Sequence, residues 1–272
     1  MKIITPHKEQ LTTVLHQNKA LQLYSIGDLD APFFQRCSWW GVEGNTSSGS
    51  VLLLFDDGDT GTLLIMQDTH QDSQPILQHL TAHALPSLPD TLHAIISANA
   101  TSWIERFFTI HDTHATPLFR MMLSSYSQLE PSSHPKIATP DDHDELLQFL
   151  HTHYPQTYFN PDTLALNVIT ILRDTAAPHP IIATCGVHVY SLTQQVAALG
   201  NVVVHPDHRN KGLARQVVST CCQHLLTHGI THIGLNVAQS NIPALRSYAS
   251  LGFEITHELL ECDLSKIKDQ SV

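Results

Sequence analysis

The sequence lacks any apolar run near the ~20 residues that a helix needs to cross a bilayer, and its first residues carry no apolar core of a signal peptide. Cysteine is scarce: there are five, with neither metal-type spacing nor an even framework, which predicts reduced thiols. Lys and Arg number only 14 against 25 Asp and Glu, and the net charge of −11 argues against binding to nucleic acid. We therefore expect a cytoplasmic protein that binds neither membrane nor nucleic acid.

Histidine, by contrast, is abundant, with 20 residues in the chain of 272. The close pairs that could each supply two metal ligands are His151 and His153, His205 and His208, and His224 and His228. No third Cys, Asp or Glu ligand stands at motif spacing beside any pair, so we predict no metal site. We do predict a surface charge that becomes more positive below about pH 6.5.

The most informative stretch is residues 202–214, which reads as a strand, a cationic turn and the start of a helix. Its valines suit a buried strand, Pro206 ends the ladder, and apolar residues recur at helical spacing from Leu213 onward. The first N–H groups of such a helix lack backbone partners and, with the positive end of the helix dipole, form an anion site. Gly212 lets a ligand approach the backbone closely because it has no Cβ. The turn therefore predicts phosphate binding.

Two common phosphate-binding loops do not fit this turn. A Walker loop needs Lys and then Ser or Thr after its last glycine, where this chain has Leu213 and Ala214. A dinucleotide fingerprint needs two more glycines. The pattern Arg209-x-x-Gly212-x-Ala214 after a valine-rich strand instead resembles the acyl-CoA pyrophosphate loop of the GNAT superfamily of N-acyltransferases.

A second block strengthens this resemblance. Residues 231–237 form a short apolar strand, and a helix with Pro243 in its first turn and Gly252 as its stop follows. Its pattern, Asn241-x-x-Ala244-x-x-x-Tyr248-x-x-x-Gly-Phe, is similar to the second motif of the superfamily at every position. The two motifs cover residues 199–253, and the flanking pattern extends the likeness to about 136–265.

The resemblance implies a fold and a set of binding residues. The fold class is α/β (α+β), with tandem GNAT-like domains that each contain a mixed, mostly antiparallel sheet flanked by helices. Acetyl-CoA, or another acyl-CoA, is the implied co-substrate. Its pantetheine arm is implied to pair like an extra strand, with Val204 N–H stabilising the oxyanion and Asn241 contacting the arm. The residues expected to hold CoA are Val202, Val203, Val204, Arg209, Asn210, Lys211, Gly212, Leu213, Ala214, Asn241 and Tyr248.

Acyl transfer to an amine also needs an acid for the departing thiolate and a base for the amine. Tyr248 is the candidate acid, because a phenol with a pKa of about 10 keeps its proton at pH 7 while a thiolate with a conjugate pKa of about 8.5 accepts one. Packing in the helix–sheet core is its structural alternative. The base stays open, since several GNAT enzymes carry a glutamate where this chain has Ala198. A water, His188, Tyr190 or a group from the first half of the chain are the alternatives.

The proline- and serine-rich residues 130–135 mark a boundary between two expected domains, a degenerate one at 1–130 and a catalytic one at 136–265. After the boundary we predict a strand at 134–138, a helix from Thr139, and a helix from Asn160 whose apolar face extends to Leu172. Strands near 180–190 and 196–204, a helix at 212–228, a strand at 231–237, a helix at 242–251 and a strand at 253–262 follow. This order, β-α-α-β-β-α-β-α-β, is also that of the GNAT fold.

The first half of the chain reads as a degenerate copy of the same plan. We predict strands at 39–41, 51–55 and 63–66, a helix at 76–83, a strand at 92–97, a helix at 101–108 and a strand at 118–123. Where the phosphate loop should stand, residues 67–75 offer Asp68 and Asp72 and no glycine, which would repel a pyrophosphate. We expect this half to shape the acceptor site or a subunit contact; an unrelated α/β domain is the alternative.

The leading interpretation is an N-acyltransferase that moves an acetyl group from acetyl-CoA to a primary amine of a small molecule or amino-acid-like acceptor by direct attack through a tetrahedral intermediate. The connection that carries Tyr154, Tyr158 and Phe159 borders the acceptor pocket in this family, although simple packing is an equal alternative.

The tandem arrangement also resembles glycine N-acyltransferases, so a longer acyl donor stays open, as does acetylation of protein N-termini. The second class is a non-catalytic acyl-CoA-binding regulatory or partner module. We expect a monomer or a homodimer.

Overall fold

The computed structural model describes residues 1–56, 58, 60–69, 73–130, 132, 134–155, 162–176 and 178–267, with backbone only at 162 and 163. The chain divides into two compact units. Unit 1 contains Met1–Arg120, Ala238–Ser240 and the segment from Thr256 onward, and unit 2 contains Met121–Val237 and Asn241–Ile255. These units are defined by contacts, whereas the domains 1–130 and 136–265 are stretches of sequence and remain a proposal.

Unit 1 is a sheet with helices packed on it. Its helices are α1 (Lys8–Leu15), α2 (Leu23–Gly27), α3 (Gln74–Ala84) and α4 (Thr101–Ile104). Its strands are β1 (Ile3–Ile4), β2 (Cys37–Val42), β3 (Val51–Phe55), β4 (Thr62–Ile65), β5 (Thr91–Ser97), most of β6 (Phe108–Leu123) and the larger part of β12 (Phe253–Lys266). The strand order in this unit is β1-β2-β3-β4-β5-β12-β6. Only β4 and β5 pair in parallel among the registers described for it.

Unit 2 repeats this plan. Its helices are α5 (His143–His153), α6 (Asp162–Ala165), α7 (Leu213–Thr227) and α8 (Ile242–Ala249). Its strands are β7 (Lys136–Ile137), β8 (Thr170–Arg173), β9 (Ile181–Ser191), β10 (Val196–Val204), β11 (His232–Ala238) and the end of β6. The strand order is β6-β11-β10-β9-β8-β7, and β10 pairs with β11 in parallel. No helix in the described residues has the length and apolar character to cross a membrane.

The two halves of the chain share one order of elements: strand, two helices, three strands, helix, strand, helix, strand. In each half the third and fourth of these strands are antiparallel, and the crossover helix that follows leads to a parallel strand. The predicted fold class, tandem α/β units with mixed, mostly antiparallel sheets, is therefore confirmed.

Burial explains how the helices of unit 2 are placed. The residues of β9 from Ile181 to Val187 are buried without interruption, so both faces of this strand must be covered. Helices α5 and α7 both pack on β9 and β10. Leu146 and Leu150 of α5 join one core cluster with Val203 of β10, while α7 buries its own apolar stripe of Val217, Val218, Cys221, Cys222 and Leu225.

Three of the predicted elements are wrong in extent or type. The predicted helix from Asn160 is limited to α6 in the described residues, and Thr170–Arg173 is the strand β8, so the predicted element order lacked one strand. The β-branched side chains at 168–171 favour a strand, and β8 pairs with β9 along its whole length. The predicted helix at 101–108 ends at Ile104, and the strand predicted at 118–123 begins at Phe108. Asn160 itself lies outside the described residues.

A cluster of titratable side chains lies where β5 pairs with β12 in unit 1. His93 stands opposite Asp263, and its ring nitrogens lie 3.1 Å from Oδ1 of Asp263 and 3.1 Å from Oε1 of Glu261. The hydrogen bond to Glu261, more than any other cause, holds the pKa of His93 above its ordinary value. Because the raised pKa belongs to the folded state, this stabilisation is complete below about pH 6.5 and is lost as the pH rises through the raised value.

We expect the substitution His93→Gln to lower the melting temperature by about 2–4 °C at pH 5.5, the effect of about 1 kcal/mol in a chain of this size, and by less at pH 9. Thermal unfolding of both proteins at the two pH values measures this difference. The matched control is His83→Gln, at an exposed histidine of α3 for which the described residues offer no carboxylate partner. An equal effect of His93→Gln at both pH values would contradict the assignment.

Candidate active site

The centre of unit 2 contains a split between two neighbouring strands. Strands β10 and β11 pair in parallel from Val196 with His232 to Leu199 with Leu235, and no further pair continues this register in the described residues. On its other side β10 stays paired to β9 as far as Val204 with Ala183. The edge of residues 200–204 that faces away from β9 is therefore the place where an extended ligand can pair with the backbone.

The three predicted valines lie along this split. The side chain of Val203 is buried in the α5 core cluster, while those of Val202 and Val204 are half-buried. Val204 is the last residue of β10, and its carbonyl accepts a hydrogen bond from Nε of Arg209 at 3.2 Å. Side-chain packing thus fixes the strand from one side and leaves its backbone as the group that meets a ligand.

The loop after β10 leads into the first turn of α7, and residues 209–214 are called the anion cup below. Asn210 and Gly212 both have left-handed backbone conformations, with φ of 61° and 74°. Gly212 is the N-cap of α7, and a β-carbon there would meet nothing within 4 Å. The first hydrogen bond of the helix is donated by Gln216 N to Gly212 O, so the N–H groups of residues 213–215 face the helix N-terminus without an intrahelical acceptor. N–H groups at a helix N-terminus can donate hydrogen bonds to a bound anion.

The two cationic side chains of this loop donate hydrogen bonds to nearby carbonyl groups. Nζ of Lys211 donates to the carbonyl of Asp207 at 3.1 Å, as Arg209 does to Val204. Arg209, Asn210 and Lys211 are exposed, and Leu213 and Ala214 are half-buried in the first turn of α7. The residues of the predicted phosphate loop therefore lie together between the end of β10 and the first turn of α7.

The second motif forms α8 and its flanks. Oδ1 of Asn241 accepts a hydrogen bond from Ala244 N at 3.2 Å and caps the helix. The cap uses the oxygen, which leaves the amide NH2 group as the donor that can reach a ligand. At the other end Gly252 has φ of 92°, and a β-carbon there would overlap the carbonyl of Ser125. The sequence pattern of this motif is thus explained by helix capping and by one close backbone contact.

Tyr248 points into the protein from α8. Tyr248 is 8% exposed, and the centroid of its ring lies 5.9 Å from that of Phe253, with the two rings tilted. This environment fits the structural alternative of core packing, and it also fits a phenol whose proton is kept from bulk water.

His188, the candidate base, lies on β9 against β10. Its Nε2 is 3.2 Å from Oδ1 of Asn201, and the ring covers the α-carbon of Gly200 so closely that a β-carbon there would overlap it. Ala198, the position of a glutamate in several GNAT enzymes, is fully buried. Neither Gly200 nor Asn201 was identified from the sequence. The sequence does contain a signal for them, because Gly and Asn inside a strand pattern are typical of a bulge.

The histidine pairs form contacts of their own. The ring of His153 lies 4.6 Å from that of His205, which lies 5.5 Å from that of His208, and the rings of His224 and His228 are 4.2 Å apart. Burial, followed by the charges of His205 and Arg209, holds the pKa of His153 below its ordinary value. Within the described residues, no group of three or more His, Cys, Asp or Glu side chains has the arrangement of a metal site.

The corresponding place in unit 1 is closed. Strands β4 and β5 pair as far as Ile65 with Ile96, and Gln67 N then donates to Oγ of Ser97 at 2.9 Å. Asp68 is 4% exposed and accepts hydrogen bonds from Asn18 and Ser48. Unit 1 therefore holds a buried carboxylate where unit 2 has its cup.

Asp72, Tyr158 and Phe159 lie outside the described residues. Tyr154 is described, and it is exposed at the end of α5.

The fold and this site define an α/β protein with tandem units, of which one carries a split sheet and an anion cup. The model of the Acetyltransferase (GNAT) family matches residues 126–253. Residues 126–253, just under half of the chain, therefore form a domain of the GNAT family of acetyltransferases, which confirms the predicted family and enzyme class.

Solved structures of the same fold cover nearly the whole chain. A putative GNAT acetyltransferase from Novosphingobium aromaticivorans has a TM-score of 0.61 at 15% identity, over 92% of this chain and 99% of that one. A tandem GNAT protein from the clavulanic acid biosynthesis pathway has a TM-score of 0.60 at 16% identity, over 99% of both chains. At such identities the likeness shows the fold alone.

Curated relatives are similar over a shorter stretch. A ribosomal protein bS18-alanine N-acetyltransferase from Salmonella typhimurium is 37% identical over 67 residues, which are 24% of this chain and 45% of that protein. The Escherichia coli K12 protein of the same name is 36% identical over 67 residues. The chain spans about half the length of the curated relatives that it matches.

Proposed function

We propose that the protein transfers an acetyl group from acetyl-CoA to a primary amine. The observation that carries this proposal is the split between β10 and β11, which leads directly into the cup before α7. A thioester on an extended arm that ends in a diphosphate matches both parts, since the arm can pair with a strand edge and the diphosphate can accept hydrogen bonds from a helix N-terminus.

In this proposal the pantetheine arm lies along Val202, Val203 and Val204 and is also contacted by Asn241. The diphosphate lies against the backbone of Arg209–Ala214. The open space beside Gly212 supports the fit, because no protein atom lies within 4 Å of the place of a β-carbon there and a ligand can approach this backbone closely. The exposed Arg209 and Lys211 add positive charge to a chain whose net charge is −11.

The chemistry requires three groups besides the binding surface. Val204 N–H donates a hydrogen bond to the oxyanion of the tetrahedral intermediate, a rigid backbone donor that needs no reorganisation. His188 accepts a proton from the acceptor nitrogen, and Tyr248 gives its phenolic proton to the CoA sulfur. The C–N bond forms and the C–S bond breaks. Of the two protons that an ammonium acceptor loses, one leaves to solvent and one balances the proton gained by the thiol.

The acceptor is proposed to be a small amine or an amino-acid-like molecule, in keeping with the acidic balance of the chain. The curated relatives are named for acetylation of an alanine in a ribosomal protein, so a peptide with an N-terminal alanine belongs in any test. A longer acyl chain is tested in the same way, by comparison of acyl-CoA donors.

The test is release of CoA thiol from acetyl-CoA in the presence of a panel of amines and amino acids and the alanine-ended peptide. We expect release with at least one acceptor, and we expect saturating CoA to raise the melting temperature by several degrees, since 100 times the Kd contributes about 2.7 kcal/mol. Binding of CoA without thiol release would favour the alternative of an acyl-CoA-responsive module that does not catalyse. Absence of both effects would overturn the proposal.

A further inference from the structure

Two bulges, one on each strand, follow closely on one another where β9 pairs with β10. Ala198 pairs with Val189 and Leu199 pairs with Val187, so His188 is an extra residue on β9. Further along, Gly200 pairs with Gly186 and Val203 pairs with Thr184, so β10 carries an extra residue at 201–202. Bulges re-aim side chains and are concentrated beside active sites. The paired irregularities bring one side chain from each strand, His188 and Asn201, to the same point.

The backbone of β10 is adapted to receive the imidazole. The ring of His188 covers Gly200, where any β-carbon would overlap Nε2, Cδ2 and Cε1. The next residue, Asn201, is 8% exposed and has φ of 50°, a left-handed conformation that costs an L-residue about 1–2 kcal/mol. A strained, buried polar residue inside a strand persists only where the surrounding structure holds it, and such residues cluster at functional sites.

The contact between the two side chains fixes one state of the ring. Nε2 of His188 lies 3.2 Å from Oδ1 of Asn201, and an amide oxygen only accepts hydrogen bonds. Nε2 therefore carries the hydrogen in the neutral ring, and Nδ1 carries the lone pair. Since the ring atom that takes up a proton is the one with the lone pair, the contact with Asn201 selects Nδ1 for this step.

We infer that Asn201 is a positioning residue that fixes the ring orientation and the tautomer of His188 for proton transfer from the acceptor amine. The inference rests on the proposed acetyl transfer. Asn201 contacts the base and not the reacting atoms. It takes the place, in this chain, of the negative charge or backbone carbonyl that commonly orients a catalytic histidine.

Other titratable and charged side chains stand on the strands and helices around His188. Strands β9 and β10 contain no Asp, Glu, Lys or Arg, and their other titratable side chains are Cys185 and Tyr190. Strand β11 adds His232. The charged and titratable groups of the helices packed on β9 and β10 are His143, Asp144, Glu145, His151 and His153 of α5 and Arg215, Cys221, Cys222 and His224 of α7. Glu145 is occupied by Ile181 N and by Arg173.

The first test is the pH profile of kcat/KM for an active amine. Asn201→Asp places a carboxylate beside the imidazole and favours its protonated form, so the acid limb should move to higher pH by about one unit relative to the wild type. Asn201→Leu removes the hydrogen bond and should lower kcat about tenfold while KM for acetyl-CoA stays within about twofold. His188→Gln should lose more activity than either variant and should lose the limb.

The matched controls are Asn167→Asp and Asn167→Leu. Asn167 is an exposed asparagine of unit 2 with φ of 54°, so these changes reproduce the backbone strain and the change of charge away from His188. The controls should keep the wild-type limb and kcat. An unshifted limb in Asn201→Asp would overturn the inference, as would the same shift in Asn167→Asp.

The second test needs neither turnover nor a variant at Asn201. A long-range 15N–1H spectrum of the wild-type protein reports the tautomer of each imidazole, and comparison with His188→Gln identifies the signal of His188. A proton on Nε2 supports the inference, and a proton on Nδ1 overturns it. Absence of activity with every amine would count against the proposed function alone, because the tautomer is read without a substrate.

Discussion

Replacement of Gly212 by aspartate is expected to weaken binding of CoA by about a hundredfold, while replacement by asparagine weakens it far less. The two side chains have nearly the same shape, and both tolerate the left-handed conformation that φ of 74° requires. They differ by one negative charge at the mouth of the cup. Two like charges at 4 Å repel by about 4 kcal/mol at an effective dielectric constant of 20, and screening at this exposed site reduces this to about 2–3 kcal/mol.

The comparison with asparagine separates the charge from the backbone strain. Both side chains are strained at φ of 74°, by about 1–2 kcal/mol, and at the N-cap of α7 aspartate complements the helix dipole better than asparagine does. Gly212→Asp is therefore expected to be at least as stable as Gly212→Asn although it binds CoA more weakly. Calorimetric titration with CoA and thermal unfolding without it measure the two quantities separately.

Gly229 provides the matched control at the opposite end of the same helix. Its φ is 89°, and a β-carbon there would meet only a side-chain carbon of Leu192 at 3.7 Å. Gly229→Asp and Gly229→Asn thus impose similar backbone strain and the same charge difference far from the cup. We expect both to bind CoA as the wild type does. A CoA affinity of Gly212→Asp equal to that of the wild type would remove the diphosphate from this loop and with it the proposed activity.

The parts of the fold that the sequence predicts well are those with local causes. Helix α7 was predicted at 212–228 and lies at Leu213–Thr227, because a glycine cap and a regular apolar stripe are readable without knowledge of neighbours. Helix α8 follows the same rule through Asn241 and Pro243. In unit 1, β3, β4 and α3 also lie close to their predicted positions.

Strand β8 shows where local pattern fails. Val168, Ile171 and Leu172 occupy helical spacing after a plausible helix start, and residues 168–172 also form a continuous buried run of the kind found in a central strand. Their environment decides between the two: Ile171 pairs with Thr184 of β9, and Leu172 pairs with Ala183. Because β9 is not adjacent in sequence, periodicity alone had no information about this pairing.

The residues of the site also differ in whether the local sequence predicts them. The residues that bind through backbone geometry, such as Gly212, stand in a short motif whose spacing carries the prediction. Asn201 and Gly200 were missed because their role depends on the register of two strands, which is set by contacts across the sheet. His188 could be proposed from residue type, but its partner could not.

Unit 1 shows why a shared plan does not imply a shared function. Its element order equals that of unit 2, yet Gln67 and Ser97 close the place in unit 1 that corresponds to the separation of β10 and β11 in unit 2. Gln67 also accepts a hydrogen bond from Nε1 of Trp103 at 2.7 Å, which fixes its side chain there. From Asp68 the sequence predicted that unit 1 has no phosphate loop. This carboxylate is buried in the structure and accepts a hydrogen bond from Asn18.

The substitution Tyr248→Phe should lower kcat by about 10²–10³ with acetyl-CoA, within the range of general-acid catalysis, while the Kd of CoA stays within about twofold. Phenylalanine keeps the ring and its packing against Phe253, so only the proton donor is lost. The control is Tyr126→Phe, at a tyrosine that is 51% exposed and whose hydroxyl donates to the carbonyl of Thr231 at 3.2 Å. That variant should retain wild-type kcat.

The leaving group separates catalysis from packing at Tyr248. A thiol of lower pKa departs as a thiolate without help, so the deficit of Tyr248→Phe should shrink when acetyl-CoA is replaced by an acetyl thioester of a more acidic CoA analogue. A purely structural role predicts the same deficit with both donors, because a displaced helix affects them alike. A kcat for Tyr248→Phe equal to that of the wild type would assign Tyr248 to the core of unit 2 and leave the thiolate to be protonated by solvent.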